Sequence, residues 1–306
     1  MSGKSSQVVQ IRLQGGLGNN LFQYAAGKHV ALRSNSNLVL DLSTLDYGLT
    51  YHGFHLNHIF QDFKEVNYFN RNFVSKNLYI LVTRIISKCA RKFAIIRIIL
   101  KKLSNQYYSS EIGYDQNITN LNPPVSLRGY YQTWRFAEEL ILSNNLIINF
   151  KNKSAWLIEM EKTAVEIGPI VLHIRRGDYN IMKDEFGLLS YQYYFNALKE
   201  IPPDLKNKEL WVFSDDIKIA EKMFKNYGSR EVKFISMPLT SNPAEVVYLM
   251  SLGSGHIIAN STFSYWGAYL SQKSKIIIAP SKWFKNWEDP KDLINPKWLR
   301  VQSEWE

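Results

Sequence analysis

The run from 171 to 180, VLHIRRGDYN, places an apolar strand directly before two arginines, a glycine and an aspartate. A guanidinium is a planar fork of N–H donors that meets phosphate oxygens with two parallel hydrogen bonds, and it stays charged at any physiological pH. Arg175 and Arg176 beside Gly177, where a backbone can approach closely, therefore suit a pyrophosphate. Alternation along the strand sends His173 and Arg175 to one face and Ile174 and Arg176 to the other. One arginine is thus expected on a ligand, and the other in an ion pair that holds the loop. Asp178 is a candidate for that pair and, by position alone, for a general base.

Two later segments end strands in the same polar manner. WVFSDD (211–216) closes on Ser214, Asp215 and Asp216. Carboxylates there accept hydrogen bonds from a ribose or a guanine edge, cap the next helix, or join a metal site, and a cap is expected of at least one of the three. ANSTFSYWGAYL (259–270) crowds Asn260, Ser261, Thr262 and Ser264 where a strand gives way to a helix. A helix N-terminus presents free N–H groups and a partial positive charge, so it receives phosphate. A cap needs only one such residue, and the surplus favours a ligand.

Other clusters carry less. QGGLGNN (14–20) brings together Gly15, Gly16 and Gly18, but Leu21 stands where the dinucleotide fingerprint G-x-G-x-x-G needs its third glycine; Asp41 fits that fingerprint's acidic position loosely. His52, His55 and His58 lie three apart, whereas helical zinc catalysis wants histidines at i and i+4 with a glutamate, so these read as loop or packing residues.

The elements that must carry these residues follow from periodicity. The chain starts as strand (8–14), glycine turn and helix (21–33), with a second strand at 38–41. A strand from 125 and helices over 133–144 and 154–166 come next, and Gly168–Pro169 is read as the domain boundary, giving domains 1–167 and 168–306. Beyond it, strands at 170–174, 210–214, 232–236, 256–259 and 275–279 alternate with helices. That rhythm predicts parallel βαβ units in a doubly wound sheet, with ligand at the carboxyl ends of the strands. HIRRGD, FSDD and ANSTFS all fall on that rim.

Composition sets outer bounds. The 306 residues carry a formal charge of +10, which favours anionic partners. Cys89 is the only cysteine, so no intrachain disulfide forms. The first twenty residues show no secretory signal and no apolar stretch is long enough to span a bilayer, so a cytoplasmic setting is expected. Residues 80–103 hold seven basic residues and no acid. Arg84, Lys88, Arg91 and Lys92 share one helical face, opposite Ile86, Cys89, Phe93, Ile96 and Leu100. Two readings stand: a packed helix with a solvated face, or a helix that lies on an anionic membrane through residues 84–102. Nucleic acid is not expected as a partner, because the basic run is paired with aliphatic rather than aromatic residues.

With these residues assembled, the chain resembles the bacterial and animal α-1,2-fucosyltransferase family. The matching segments are GGLGNNLFQYA (15–25), GYYQTWRF (129–136), HIRRGDY (173–179), FSDD (213–216), NSTFSYWGAYL (260–270) and APSKWF (279–284), in order over nearly the whole chain. Asn20 replaces the usual glutamine and Tyr265 the usual tryptophan. The resemblance implies an α/β glycosyltransferase of GT-B type, two Rossmann-like domains with the active site in the cleft between them. It implies GDP-fucose as donor, a galactose-terminated glycan as acceptor, inversion at the anomeric carbon, and no cofactor or essential metal. A bacterial surface-polysaccharide pathway (O-antigen synthesis) at the inner face of the inner membrane is the expected setting. Carried over residue by residue, Arg175 binds the β-phosphate, His173 lies near the nucleotide, and Asp215 or Asp216 holds guanine or ribose. Ser261, Thr262, Phe263 and Ser264 line the phosphates, and Asn19 in the glycine turn contacts fucose or the departing phosphate.

Overall fold

In the computed structural model the chain forms two compact units, 1–150 with 290–293 and 151–289 with 294–306. The structure describes residues 7–45, 54–60, 62–66, 73–146, 148, 150, 152–224, 231–236, 238 and 242–306.

The first unit is built on a parallel sheet. Its strands are β1 (Val8–Arg12), β2 (Asn37–Asp41), β3 (Lys64–Val66), β4 (Gln106–Tyr108) and β5 (Val125–Arg128), in the order β3-β2-β1-β5-β4. Its helices are α1 (Leu17–Arg33), α2 (Phe73–Lys92), α3 (Ala94–Ser104) and α4 (Trp134–Leu142). Helix α1 is buried on most sides, because small and apolar residues (Ala25, Ala26, Val30, Ala31) let it seat against the sheet and α4. The expected single helix over 80–103 is two: Phe93 leaves the α region with φ −119° and ψ 112°, which separates α2 from α3.

The second unit contains α5 (Ala155–Ile167), β6 (Ile170–Ile174), α6 (Tyr191–Lys199), β7 (Leu210–Ser214), α7 (Ile217–Phe224) and β8 (Val232–Ile235). It continues through α8 (Pro243–Ser251), β9 (Gly255–Ile257), α9 (Thr262–Tyr269), β10 (Ile277–Pro280) and β11 (Leu299–Val301). All its strand pairings are parallel, and the order is β11-β10-β9-β6-β7-β8. Counted from β6, this is 3-2-1-4-5-6, the strand order of dinucleotide-binding sheets. Ile170, Leu172 and Ile174 pack with Tyr193, Leu210, Val212, Ile257 and Ile278, and each such side chain removed from water contributes about 1.5–3 kcal/mol. Two Rossmann-like α/β units in one chain match the GT-B expectation.

The boundary expected at 167/168 lies instead at 150/151, and α5 belongs to the second unit. Ser154 caps α5 by accepting from the Leu157 N–H (3.1 Å), while its own N–H and hydroxyl donate to the Glu245 carboxylate at 2.8 and 2.6 Å. Glu245 lies on α8, against which α5 packs. Gly168, at φ 56°, returns its N–H to the Ala164 carbonyl. The Gly168–Pro169 pair therefore ends a helix, not a domain.

Candidate functional site

In an open parallel sheet a ligand sits beyond the carboxyl ends of the strands where the strand order reverses. In the second unit that point falls between β6 and β9. The residues delivered there are Arg175–Gly177 from β6 and Asn260–Ser264 from β9, with Ser214–Asp216 on the neighbouring β7.

The two arginines part as strand alternation requires. Arg176 turns inward with 3% of its side chain exposed. Its Nη1 meets the Glu306 carboxylate at 2.7 Å, and its Nη2 donates to the Leu189 carbonyl at 3.1 Å and to the Met223 sulfur at 3.2 Å. Arg176, expected among the donor contacts, is thus spent on holding the loop. Arg175 keeps 22% of its side chain exposed. Its Nη1 pairs with Asp215 Oδ2 at 2.9 Å, and its guanidinium carbon stands 5.3 Å from the centre of the Tyr179 ring. Asp215 Oδ1 also accepts from the Arg176 N–H at 2.7 Å. One carboxylate thereby fixes both the loop backbone and the aim of the Arg175 fork. A Cβ at position 177 would come within 2.5 Å of Asp215 Oδ2, so Gly177 is required by this approach.

The other expected side chains divide between ligand face and scaffold. Asp216 caps α7, with Oδ1 accepting from the Ile219 N–H at 3.0 Å, and Ser214 Oγ accepts from the Asp216 N–H at 3.0 Å. Asn260 is buried, and its amide donates to the carbonyls of Phe186, Gly187 and Trp283 at 3.0–3.3 Å. Ser261 caps α9, and the buried Ser264 hydroxyl donates back to the Ser261 carbonyl at 3.3 Å. Thr262 and Phe263 remain partly exposed on the first turn of α9. The Phe263 ring lies 6.1 Å from that of His173. His173 is buried on β6, and among the described residues its Nδ1 has no hydrogen-bond partner. Burial first, and the neighbouring Arg175 charge second, push its pKa down to about 3, so the ring is neutral. The Asp178 side chain lies outside the described residues.

Tyr179 was not among the residues singled out from the sequence. Its hydroxyl donates to the Asn260 carbonyl at 3.0 Å while its ring flanks Arg175, so it ties the end of β6 to the end of β9. Its place directly after RRGD was the available signal.

In the first unit the glycine turn leads from β1 into α1. Gly15 adopts φ 77°, and a Cβ there would also meet the Asn19 amide nitrogen at 2.5 Å. Gly16 precedes α1 without a side-chain cap, and Gly18 lies buried in its first turn. Asn19 Oδ1 accepts from Gln132 Nε2 at 2.8 Å. Asn20, at the family's glutamine position, donates to the carbonyls of Gln14 (3.3 Å) and Gly15 (3.4 Å) and so supports the turn. Asp41 does not reach for a ribose. It is fully buried and accepts from Arg12 Nε at 3.4 Å and Arg128 Nη1 at 3.0 Å, which removes the dinucleotide analogy. Sequence periodicity gave no sign of that triad, because its members come from three strand ends. His52 lies outside the described residues; His55 precedes and His58 ends a short 3-10 turn (Leu56–His58), their rings 6.4 Å apart.

The family model of glycosyl transferase family 11 matches residues 8–302. The chain belongs to glycosyltransferase family 11. An α-1,2-colitosyltransferase of Escherichia coli is 32% identical, over 97% of this chain and 99% of its own length. The O-antigen biosynthesis glycosyltransferase WbnK of Escherichia coli is 30% identical, over 94% and 99%. Fucosyltransferase NodZ from Bradyrhizobium has 14% identity in its crystal structure, over 86% of this chain and 92% of that one, at a TM-score of 0.48. As a family 11 member the chain is a glycosyltransferase, and a glycosyl donor activated by a diphosphate is the class of ligand that a guanidinium at a sheet's switch point suits.

Proposed function

We propose that the protein transfers L-fucose from GDP-fucose to the 2-hydroxyl of a terminal galactose, forming an α-1,2 linkage with inversion, in the assembly of an O-antigen. The observation that carries this reading is the separation of the two arginines. One guanidinium is locked into the scaffold, while its neighbour is aimed by Asp215 at the switch point beside the N-terminus of α9. The matched fucosyltransferase motifs support the sugar, and a relative named for O-antigen biosynthesis supports the pathway. In this reading the second unit holds the nucleotide, and Asn19, in the first turn of α1, contacts the fucose or the departing phosphate.

The acceptor oxygen attacks the anomeric carbon on the face opposite the phosphate. The carbon–oxygen bond to the β-phosphate breaks, and its electron pair leaves with GDP. The sugar is oxocarbenium-like at the transition state, so the main demand is for fixed positive groups at the departing phosphate. Arg175 and the α9 N–H groups meet that demand without a metal in this proposal, and loss of one preorganised donor costs about 10²–10³ in kcat. The acceptor proton passes to a carboxylate, for which we propose Asp178; Asp178→Asn is expected to lower kcat by about 10²–10⁴ and to leave GDP binding intact.

The test is kinetic. Arg175→Ala is expected to lose about 10²–10³ in kcat, and Arg175→Lys not to recover it, because a lysine lacks the planar fork. Near-normal turnover of Arg175→Lys, or turnover that vanishes with chelation of divalent ions, sinks the assignment. Titration calorimetry with GDP, UDP and CDP tests the nucleotide. Product linkage by NMR from an acceptor screen tests the galactose 2-hydroxyl. A colitosyl donor is the second reading, favoured by the 32% identical relative, and it belongs in the same screen.

A further inference from the structure

Helices α2 and α3 turn apolar residues outward. On α2, Leu78, Leu81, Val82 and Ile85 recur at i, i+3, i+4 and i+7, and each is 43–61% exposed. On α3, Ile95, Ile98, Ile99 and Leu103 recur at i, i+3, i+4 and i+8 with 47–81% exposure, and no residue of α3 is buried. Phe93, at the junction, is 53% exposed. These nine are half of the eighteen exposed large hydrophobics among the described residues, crowded into one stretch of chain. Among the described side chains of α2, those buried are Thr83 and Ala90, small or polar. Both helices thus carry an exposed apolar stripe beside partly buried Ile86, Cys89, Ile96 and Leu100. Scattered exposed hydrophobics need no explanation, but a contiguous patch marks an interaction surface.

Charge selects the occupant. Arg84, Lys88 and Arg91, spaced i, i+4 and i+7, form an exposed row along the flank of the apolar stripe on α2. Lys92, Lys101 and Lys102 add exposed cations at the helix ends. Between Glu65 and Glu111 the sequence contains no acidic residue. A second copy of this face would set that basic row against its own equal, with no carboxylate on either helix to answer it. No helix among the described residues is long and apolar enough to cross a membrane. A helix of this kind instead lies in the interface plane, its apolar face sunk about 5–10 Å into the headgroup–acyl boundary and its cations on anionic headgroups.

We propose that α2 and α3 form a docking surface for an anionic lipid bilayer. It is independent of the donor and acceptor assignments, since none of its residues belongs to the candidate site. Flotation of the full-length protein with phosphatidylcholine vesicles, and with vesicles doped with phosphatidylglycerol, tests it. The protein is expected to float with the doped vesicles, far less with the neutral ones, and to be released by high salt. Arg84→Gln, Lys88→Gln and Arg91→Gln are expected to weaken partitioning by about fivefold for each charge removed. Leu81→Glu with Ile85→Glu is expected to abolish it, and because both positions are exposed, thermal unfolding should be unchanged. If the glutamate pair misfolds, the glutamine series still decides. Equal flotation with both vesicle types, no flotation, or a wild-type dimer that the glutamate pair makes monomeric without either form binding vesicles overturns the proposal.

Discussion

Asp215 has the most leverage at the scale of single residues. It is one carboxylate with two tasks: Oδ2 aims the Arg175 fork, and Oδ1 pins the backbone of the same loop. A charge-assisted hydrogen bond is about twice as strong as a neutral one, so Asp215→Asn keeps the shape and weakens the aim. It is expected to raise KM for the donor and lower kcat together by tenfold or more, with little change in the unfolding midpoint; unchanged steady-state kinetics refute the positioning role. His173 makes a different prediction. Its folded pKa near 3 lies below the ordinary value of 6.5, so between those values the unfolded chain binds a proton that the folded chain refuses. The contribution of the neutral ring is fully present above pH 6.5 and drains away as pH falls towards 3, by about 1.4 kcal/mol per pH unit at the steepest. His256, pushed down to about 4 chiefly by burial, adds to the same acid-side loss. Urea unfolding across pH 4–7 checks it: His173→Gln should have a shallower acid limb than the wild type. At this scale the turning of Arg175 and Arg176 to opposite faces was legible, because a strand's period of two is fixed by covalent geometry, but which of them would be spent on the scaffold was not. Which of Ser214, Asp215 and Asp216 served as the cap was not, since all three residue types cap helices and only the folded turn chooses among them.

Among elements, the strands that carry the arginines and Ser214 were legible almost residue by residue, whereas α1, expected from 21, starts at Leu17 and takes Gly18 and Asn19 into its first turn. Strand β6 was expected at 170–174 and β7 at 210–214, and both are found there, because long apolar runs bounded by polar turns have few alternatives. The short edge and near-edge strands β3, β4 and β11 were not anticipated. Each has three residues, and Lys64 and Glu65, Gln106 or Arg300 breaks the apolar pattern, so pairing rather than sequence makes them strands. The tie between α5 and α8 was equally invisible, because Ser154 and Glu245 stand ninety-one residues apart. That tie is testable. Glu245 is buried and accepts both the N–H and the hydroxyl of Ser154, so Glu245→Ala leaves a helix terminus without its partner at a cost of about 1–3 kcal/mol. Glu245→Gln, which retains an acceptor oxygen, is expected to lose less. Chemical denaturation that finds the two variants equal would falsify the carboxylate's role.

At the scale of the molecule, the sequence's own punctuation misled. Gly168–Pro169 looks like a linker and is a helix stop, while the real change of unit near 150 has no glycine or proline to mark it. The tail is equally unmarked. Residues 290–293 join the first unit, and the chain then returns to the second, where β11 pairs with β10. Past β11, the Ser190 N–H donates to the Glu304 carbonyl at 2.7 Å, and the Glu306 N–H to the Leu188 carbonyl at 2.9 Å. Trp305 covers Gly187, where a Cβ would meet the indole at 2.4 Å, and Glu306 completes the pair with Arg176. These last residues thus hold the segment 187–190 and anchor Arg176, which holds the loop after β6 from behind. Removing residues 303–306 strips a buried guanidinium of its carboxylate. Because Glu306 is itself 48% exposed and water screens the pair, the ionic part of the loss is at the low end, about 1 kcal/mol. The lost backbone hydrogen bonds and indole packing bring the total to about 3–5 kcal/mol. The single change Glu306→Gln isolates the ionic part, and should lower stability by no more than about 1 kcal/mol while leaving 187–190 in place. Urea unfolding of the two variants side by side decides it. A truncation no worse than Glu306→Gln means the tail only rests on the second unit; a truncation several kcal/mol worse means that the loop after β6 is framed by residues more than a hundred positions away.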